Sequence, residues 1–234
     1  MKLAFAASLT LANGMCGFAA LIVLAHWPLA SALPMAAALI FAAWAFDMVD
    51  GIAARQLGVA GPFGAALDSL CDTVTFGLVP GCALGVMTAP MMAVWAWAGS
   101  GVGAAFLGCA IVRLARFTVA ATEAPPSRPA PRYRLFEGLS VPGAAMAMAA
   151  CVLTVPLAGL GVAAIASGLM VSRIPYPDLG HIYLTRRLPP WHLIAPLALT
   201  VAVGPMTALA VGFGLYLALG PFLGVLLRRR MAGT

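Results

Sequence analysis

The chain has 234 residues, of which 63% are hydrophobic and only 9% are charged, and its formal net charge is +6. A soluble domain carries about 25% charged residues, so this composition excludes an ordinary soluble domain and indicates a membrane protein. We assign the positive charge to membrane orientation and predict no nucleic-acid binding, because Lys and Arg accumulate in the cytoplasmic loops of membrane proteins. The five cysteines form no CxxC pair, which argues against a zinc site or a disulfide framework.

Hydropathy and turn signals predict an all-α fold, a polytopic membrane bundle of about eight transmembrane helices in a single domain over residues 1–234. In chain order the predicted helices cover residues 5–25, 32–56, 63–87, 91–119, 139–156, 157–172, 191–205 and 206–227. Two longer polar loops, 120–138 and 173–190, are of the kind that often covers a site. The small-residue pairs Gly81/Gly85 and Gly99/Gly103 permit close packing of two helices.

The basic residues give an independent test of the helix count. With eight spans, both termini and all of the Lys- and Arg-bearing segments lie at one side, from Lys2 to Arg228–Arg230. The loops on the opposite side contain no Lys or Arg. The positive-inside rule therefore predicts that both termini and the basic loops face the cytoplasm.

The acidic residues are concentrated in one place. Four of the seven lie at the facing ends of the second and third predicted helices. The pattern is Asp47-x2-Asp50-Gly51-x2-Ala54-Arg55-x8-Gly64-x3-Asp68-x3-Asp72.

Helical periodicity gives this spacing a geometric meaning. Positions 47, 50, 51 and 54 share one face of the second helix, and positions 64, 68 and 72 share one face of the third. A turn at 58–62 makes the two helices antiparallel neighbours. We therefore expect the four carboxylates to converge in one pocket that opens to the cytoplasm.

Such a cluster requires neutralisation, since an Asp at the centre of a membrane helix costs about 2.5–3.5 kcal/mol. Two divalent cations would cancel the four charges, and oxygen-only ligands favour Mg²⁺ first and Mn²⁺ second. Paired metals suit displacement at phosphorus. Gly51, Ala54 and Gly64 leave room for a ligand to approach the backbone, and Arg55 is placed to meet a phosphate.

The whole string resembles the signature of the CDP-alcohol phosphatidyltransferase family at every fixed position. The resemblance implies a dimeric helical membrane enzyme in which an alcohol hydroxyl attacks the lipid-side phosphoryl group of a CDP-linked lipid and CMP leaves. It also implies roles for individual positions. The metal ligands would be Asp47, Asp50, Asp68 and Asp72, with Asp72 also the general base, and the nucleotide site would be lined by Gly51, Ala54, Arg55 and Gly64.

Further segments are similar to bacterial phosphatidylserine synthases, which implies CDP-diacylglycerol and L-serine as substrates and a location in a bacterial-type inner membrane. They are residues 9–18, 72–77, 113–117, 136–139 and 171–177. The resemblance implies a six-helix catalytic core over residues 1–178, with 191–228 adding two C-terminal helices. The chain departs from the pattern at Ala6-Ala7, where relatives often carry Pro-Asn, at Ser140 in place of Pro, and at Thr75 in place of Ser.

Three more residues are candidates for substrate or phosphate binding. Arg113 and Arg116, near the cytoplasmic end of the fourth helix, are suited to a carboxylate or a phosphate, because guanidinium pairs with planar oxyanions. Simple positive-inside anchoring remains open for both. Asn13 either points its amide toward the site or makes an interhelical hydrogen bond.

Other functions remain open from the sequence. Within the family, the acceptor alcohol can instead be glycerol 3-phosphate, inositol phosphate or choline. From other classes, a divalent-cation transporter or a membrane scaffold is a remote alternative. Transport sites usually lie near the membrane midplane at a repeat interface, whereas these acids lie near one rim and the sequence shows no repeat.

Overall fold

The computed structural model describes residues 1–123, 135–154, 156–177 and 205–232. In this part of the chain the fold is a helical bundle with one two-stranded sheet. The elements are α1 (Lys2–His26), α2 (Leu29–Gln56), α3 (Pro62–Asp72), a π-helix (Thr73–Leu78), α4 (Val79–Thr88), α5 (Ala93–Glu123), β1 (Leu135–Glu137), α6 (Val141–Thr154), α7 (Pro156–Val171), β2 (Pro175–Pro177) and α8 (Pro205–Ala232).

The helices are long and apolar enough to cross a bilayer. Among the described residues, five stretches qualify by length and composition: Lys2–His26, Leu29–Gln56, Pro62–Thr88, Ala93–Ala120 and Val211–Arg229. The shorter helices α6 and α7 are also apolar. The prediction of an all-α polytopic membrane protein is therefore confirmed. The helix predicted at 191–205 lies outside the described residues, so the count of eight stays a prediction.

The third membrane span is not a uniform α-helix. It begins as α3, passes through the π-helix directly after Asp72, and ends as α4. Short π-helical turns inside α-helices occur frequently at functional sites. Here the π-helix carries Thr75, which is fully buried and donates a hydrogen bond to the backbone oxygen of Asn13 in α1 at 3.0 Å. The helix predicted over 63–87 is confirmed as one span, Pro62–Thr88, but the π-helical segment within it was not predicted.

Glycines allow α4 and α5 to touch through their backbones. A Cβ added to Gly81 would lie 2.7 Å from the backbone oxygen of Gly103, and one added to Gly103 would collide with the oxygen of Gly81. Farther along the same crossing, a Cβ on Gly85 would lie 3.5 Å from the Ser100 hydroxyl. The small-residue pairs predicted from the sequence are therefore confirmed as the contact between these helices.

The sequence did not predict the two-stranded sheet, which lies in the segments expected to be polar loops. β1 and β2 pair antiparallel, with Phe136 opposite Tyr176. The next residue after β1, Gly138, has a φ of +80°, and its N–H donates to the oxygen of Ile174 at 2.9 Å. A Cβ at this glycine would lie 2.6 Å from the Met170 oxygen, so the turn requires glycine.

The last described helix packs on both the bundle and the sheet. Phe213 of α8 meets Trp44 of α2 edge to face, with ring centroids 5.6 Å apart. Gly224 lies directly against the backbone oxygen of Pro175 in β2. The C-terminal helix thus joins α2 to the sheet at the end of the bundle where the acidic residues lie.

Candidate active site

Three of the four aspartates form a compact cluster. Each of Asp47, Asp50 and Asp68 contributes a carboxylate oxygen, and these atoms all lie within 4.8 Å of one another. α2 carries the first two residues three positions apart on one face, and the antiparallel α3 brings the third opposite them. Residues that share a helix face in the sequence thus bring their carboxylates together in the structure.

The cluster fits a divalent cation. Asp50 is only 6% exposed, and its Oδ2 atom has no hydrogen-bond partner among the described residues. The buried Oδ1 atom of Asp68 likewise has no partner in this part of the chain. Buried polar atoms are normally paired, and buried charges are paired or coordinate metals. Hard oxygen ligands of this kind suit Mg²⁺ or Mn²⁺.

Asp72 lies beside the cluster and is held by a separate hydrogen bond. It is 4% exposed and interacts electrostatically with Asp47, Asp68 and Asp50. Its Oδ1 atom accepts a hydrogen bond from Nδ2 of Asn13 at 2.8 Å. Asp72 is therefore held from α1, whereas the other three carboxylates approach one another.

Asn13 is fully buried and joins two features of the third span. Its amide donates to Asp72, and its backbone oxygen accepts from Thr75 in the π-helix. The side-chain oxygen Oδ1 has no partner in the described part of the chain. The interhelical hydrogen bond and the approach to the site, which the sequence left as alternatives, are thus one and the same contact.

α1 reaches the third span closely because it carries small residues there. A Cβ on Gly14 would lie 3.0 Å from Sγ of Cys71, and one on Gly17 would lie 2.9 Å from Cα of Thr75. Both glycines follow Asn13 in α1, next to the hydrogen bonds that Asn13 makes. A larger side chain at Gly17 would push α1 away from the π-helix and lengthen those bonds.

The candidate nucleotide-site residues border open space beside the cluster. Gly51, Ala54 and Gly64 are half-buried, and a Cβ on Gly64 would meet no described atom within 4 Å. The exposed Arg55 folds back over Gly51, so that its Nη1 atom would lie 3.4 Å from a Cβ there. Its guanidinium also interacts electrostatically with Asp50. A cationic group and an unfilled surface therefore adjoin the carboxylates.

Arg113 lies on another side of the site and is 8% exposed. Its guanidinium carbon is 5.4 Å from the ring centroids of both Phe117 and Phe136, a double cation–π contact. The guanidinium also interacts electrostatically with Asp72 and Asp47. The structure therefore brings this arginine toward the carboxylates. Phe117 is detectable from the sequence as an i, i+4 neighbour of Arg113, but no local signal identifies Phe136.

Arg116 has a different environment from Arg113. It is exposed, and its Nη1 atom donates to the backbone oxygen of Val171 at 2.9 Å. Val171 is the last residue of α7, where backbone carbonyls lack helical partners. This contact joins the ends of α5 and α7. The predicted role of Arg116 in substrate binding stays a prediction.

Comparison with known proteins agrees with this geometry. The family model for CDP-alcohol phosphatidyltransferase matches residues 3–174. A Helicobacter pylori protein named CDP-diacylglycerol–serine O-phosphatidyltransferase is 30% identical over 196 residues, which are 80% of this chain and 78% of that protein. A Bacillus subtilis protein of the same name is 30% identical over 173 residues, 72% of this chain and 87% of the relative. The chain belongs to the CDP-alcohol phosphatidyltransferase family.

Proposed function

We propose that this protein transfers the phosphatidyl group of CDP-diacylglycerol to the hydroxyl of L-serine, which gives phosphatidylserine and CMP. Family membership supports the CDP-linked lipid as donor, and the names of the relatives support serine as acceptor. The observation that carries the proposal is the position of Arg113. A buried guanidinium that interacts electrostatically with Asp72 and Asp47 supports carboxylate recognition on this side of the acidic cluster.

In this proposal the cluster binds the divalent cations of the reaction. Asp47, Asp50 and Asp68 hold a first Mg²⁺ or Mn²⁺ ion, and Asp72 helps to hold a second. When bound, such ions neutralise charge on the phosphate oxygens during displacement at phosphorus. The unpartnered oxygens of Asp50 and Asp68 support this assignment.

The nucleotide lies on the side of Gly51, Ala54 and Gly64, where the surface beside Gly64 is open and Arg55 lies over Gly51. Arg55 pairs there with a phosphate oxygen of the diphosphate. The lack of side chains at the two glycines lets a planar base approach α2 and α3. These roles follow from the family signature and from the open surface beside Gly64.

Asp72 acts as the general base toward the acceptor. It takes the proton of the serine hydroxyl while that oxygen forms a bond to the lipid-side phosphorus and the bond to the CMP oxygen breaks. CMP leaves with the bonding electron pair. Asn13 fixes one carboxylate oxygen of Asp72 through its amide and leaves the other for the reaction. Arg113 pairs with the serine carboxylate and orients the hydroxyl.

The membrane arrangement of the proposal follows from charge. Short connections reverse the chain after α1 and after α2, so that Lys2 and Arg55 lie at one end of the bundle. The contacts of Arg116 with Val171 and of Gly224 with Pro175 bring Arg173 and Arg228 to the same end. We assign this end, with both termini and the active site, to the cytoplasm. The protein works as a homodimer, as the family resemblance implies, with its catalytic core in residues 1–178.

The decisive experiment measures CMP release by the purified protein in detergent with CDP-diacylglycerol and Mg²⁺ or Mn²⁺. Acceptor alcohols are added one at a time. Release that depends on L-serine, with phosphatidylserine as the lipid product, supports the proposal. Release only with glycerol 3-phosphate, an inositol phosphate or choline refutes the serine assignment but keeps the cation site. No release with any acceptor and either metal refutes the enzyme proposal and favours a transporter or scaffold.

A further inference from the structure

The C-terminal helix reaches the acceptor side of the site although it lies beyond the family match. That match ends at residue 174, before β2 and α8. Nevertheless α8 packs on α2 through Phe213 and Trp44, and Trp44 lies three residues before Asp47 on the same helix. The helix is thus in a position to influence the site from outside the family signature.

Two tyrosines connect α8 to the sheet by reciprocal hydrogen bonds. The hydroxyl of Tyr176 in β2 donates to the oxygen of Leu217 in α8 at 3.2 Å, and that of Tyr216 in α8 donates to the oxygen of Pro177 in β2 at 3.3 Å. Their rings meet edge to face at 5.6 Å. Burial raises the pKa of Tyr176, which lies outside the spans, to about 12, so its hydroxyl stays a proton donor at neutral pH.

Small residues make room for this pair. A Cβ on Gly220 would lie 2.5 Å from Cδ1 of the Tyr176 ring, and one on Gly143 of α6 would lie 3.1 Å from Cε1 of Tyr216. Gly224 allows the backbone of α8 to contact that of β2. Each tyrosine ring therefore packs on a glycine, and the positions of the rings are fixed by close packing as well as by hydrogen bonds.

The contacts continue from the tyrosines to Arg113. Tyr176 is the pairing partner of Phe136 across the sheet, and Phe136 stacks on the guanidinium. Tyr216 packs in turn on Tyr176, with ring centroids 5.6 Å apart, so the chain of contacts from α8 to Arg113 runs through Tyr176 and Phe136. Arg113 therefore contacts two adjacent rings, Phe117 of its own helix and Phe136 of β1, whose centroids are 6.3 Å apart, and Phe136 in turn is supported by β2 and α8.

This environment holds the guanidinium but leaves its donors available. Ring faces stabilise the cation through the π electrons and do not accept the in-plane N–H groups as a carboxylate does. No hydrogen bond or ion pair joins Arg113 to another residue in the ranges that the structure describes. A buried guanidinium whose donors have no partner among the described residues is suited to bind an anionic ligand.

From these contacts we infer that Tyr216 is a positioning residue for Arg113, and that α8 with the sheet forms the wall that selects an acceptor bearing a carboxylate. The inference rests on the proposed function, because it assumes that Arg113 binds the carboxylate of serine. Tyr216 acts on substrate through Arg113 and takes no part in the bond changes. Its loss therefore weakens binding of the acceptor and leaves binding of the nucleotide lipid intact.

The test is a Tyr216→Phe variant assayed for CMP release with L-serine and CDP-diacylglycerol varied in turn. Phenylalanine keeps the ring packing on Gly143 and removes the hydrogen bond to Pro177. We expect the KM for serine to rise roughly 2–10-fold, the value of one neutral hydrogen bond, with kcat and the KM for CDP-diacylglycerol within about twofold of wild type. Tyr176→Phe, which removes the reciprocal bond, should act in the same direction. Leu219→Ala, on an exposed position of α8, is the matched control and should change neither KM.

A double-variant cycle then tests whether Tyr216 acts through Arg113. We expect Tyr216→Phe combined with Arg113→Lys to raise the KM for serine by less than the product of the two single effects. Effects that multiply, an unchanged KM for serine, equal rises in both KM values, or loss of folding in both tyrosine variants by thermal unfolding in detergent would each overturn the inference. A wild-type protein without serine-dependent release would instead refute the proposed function itself, so the two failures are distinguishable.

Discussion

The two sides of the site are built in different ways. The acidic side is formed by α2 and α3, which are neighbours in sequence, and its chemistry depends on charge at helical spacing. The side around Arg113 is assembled from α5, β1, β2 and α8, which are far apart in the chain, and it depends on aromatic stacking. The acidic cluster comes from two helices that are adjacent in sequence, whereas the environment of Arg113, apart from Phe117, comes from distant segments.

This difference predicts different consequences of mutation. Residues on the acidic side serve every acceptor, because the donor lipid and the cations bind there in the proposed mechanism. Residues on the other side affect only the recognition of the acceptor. Substitutions on the acidic side should therefore abolish release of CMP altogether, whereas those around Arg113 should change the dependence on serine.

The largest effect is expected for Asp50→Asn or Asp68→Asn. Each removes one charge from a cluster whose oxygens lie within 4.8 Å of one another, so cation binding and CMP release should be lost with every acceptor. Mn²⁺ binding, followed by electron paramagnetic resonance, measures the first effect independently of turnover. Ser69→Ala, next to Asp68, removes a hydrogen bond to Thr118 but no carboxylate and should retain both properties. Full Mn²⁺ binding in the Asp variants would contradict the assignment of the site.

Asp72→Asn should reduce turnover nearly as much as Asp50→Asn or Asp68→Asn, but it should preserve more of the substrate and cation binding. Loss of a general base costs about 10²–10⁴-fold in rate, whereas the cluster of three carboxylates remains. We expect CMP release to fall by that factor while binding of CDP-diacylglycerol in detergent partly survives. Turnover at the wild-type rate would exclude Asp72 as the base.

Asn13→Ala removes the hydrogen bond that supports Asp72 but leaves the carboxylate of Asp72 in place. The amide donates to Asp72 at 2.8 Å, and groups that orient a metal ligand are typically worth about 10–100-fold in activity. We expect kcat to fall by this factor with both KM values nearly unchanged. Thr10→Ser, one turn earlier on the same helix, tests the local packing and should have a much smaller effect. A rise in the KM for serine with normal kcat would show instead that Asn13 binds the acceptor.

Of these substitutions, Arg113→Lys should have the smallest effect, and it should weaken only the binding of the acceptor. Lysine keeps the charge but not the planar pair of donors, so we expect the KM for serine to rise about 10-fold. The KM for CDP-diacylglycerol should stay as it is. Arg116→Ala, three residues along the same helix, should remain within about twofold in both KM values if its role is to join α5 to α7. Equal effects of the two variants would remove the distinction between these arginines.

The acidic cluster and the glycine contact were predictable because both depend on the spacing of residues close together in the sequence. Asp47 and Asp50 lie three residues apart, and any α-helix places such residues on one face, so the cluster follows from periodicity and one turn. The glycine contact of α4 with α5 was predictable for a similar reason, because closely packed membrane helices need small residues at four-residue spacing. The composition alone indicated a membrane protein.

The π-helix after Asp72 and the sheet β1–β2 were not predictable. The third span is apolar on most sides, so a change of helical register leaves no trace in its hydrophobic pattern. The strands are only three residues long, and propensity in so short a segment is outweighed by packing. The Asn13–Asp72 contact likewise joins residues 59 positions apart.

By itself, the sequence determined the membrane character, the faces of the acidic helices and the resemblance to a family, because each depends on composition or on spacing within one or two helices. The tertiary structure decided that Asp72 is held by Asn13, that Phe136 joins Phe117 in contact with Arg113, and that Tyr216 of α8 packs on Tyr176 of the sheet. Those contacts depend on how distant helices pack against one another, and no local pattern encodes that packing.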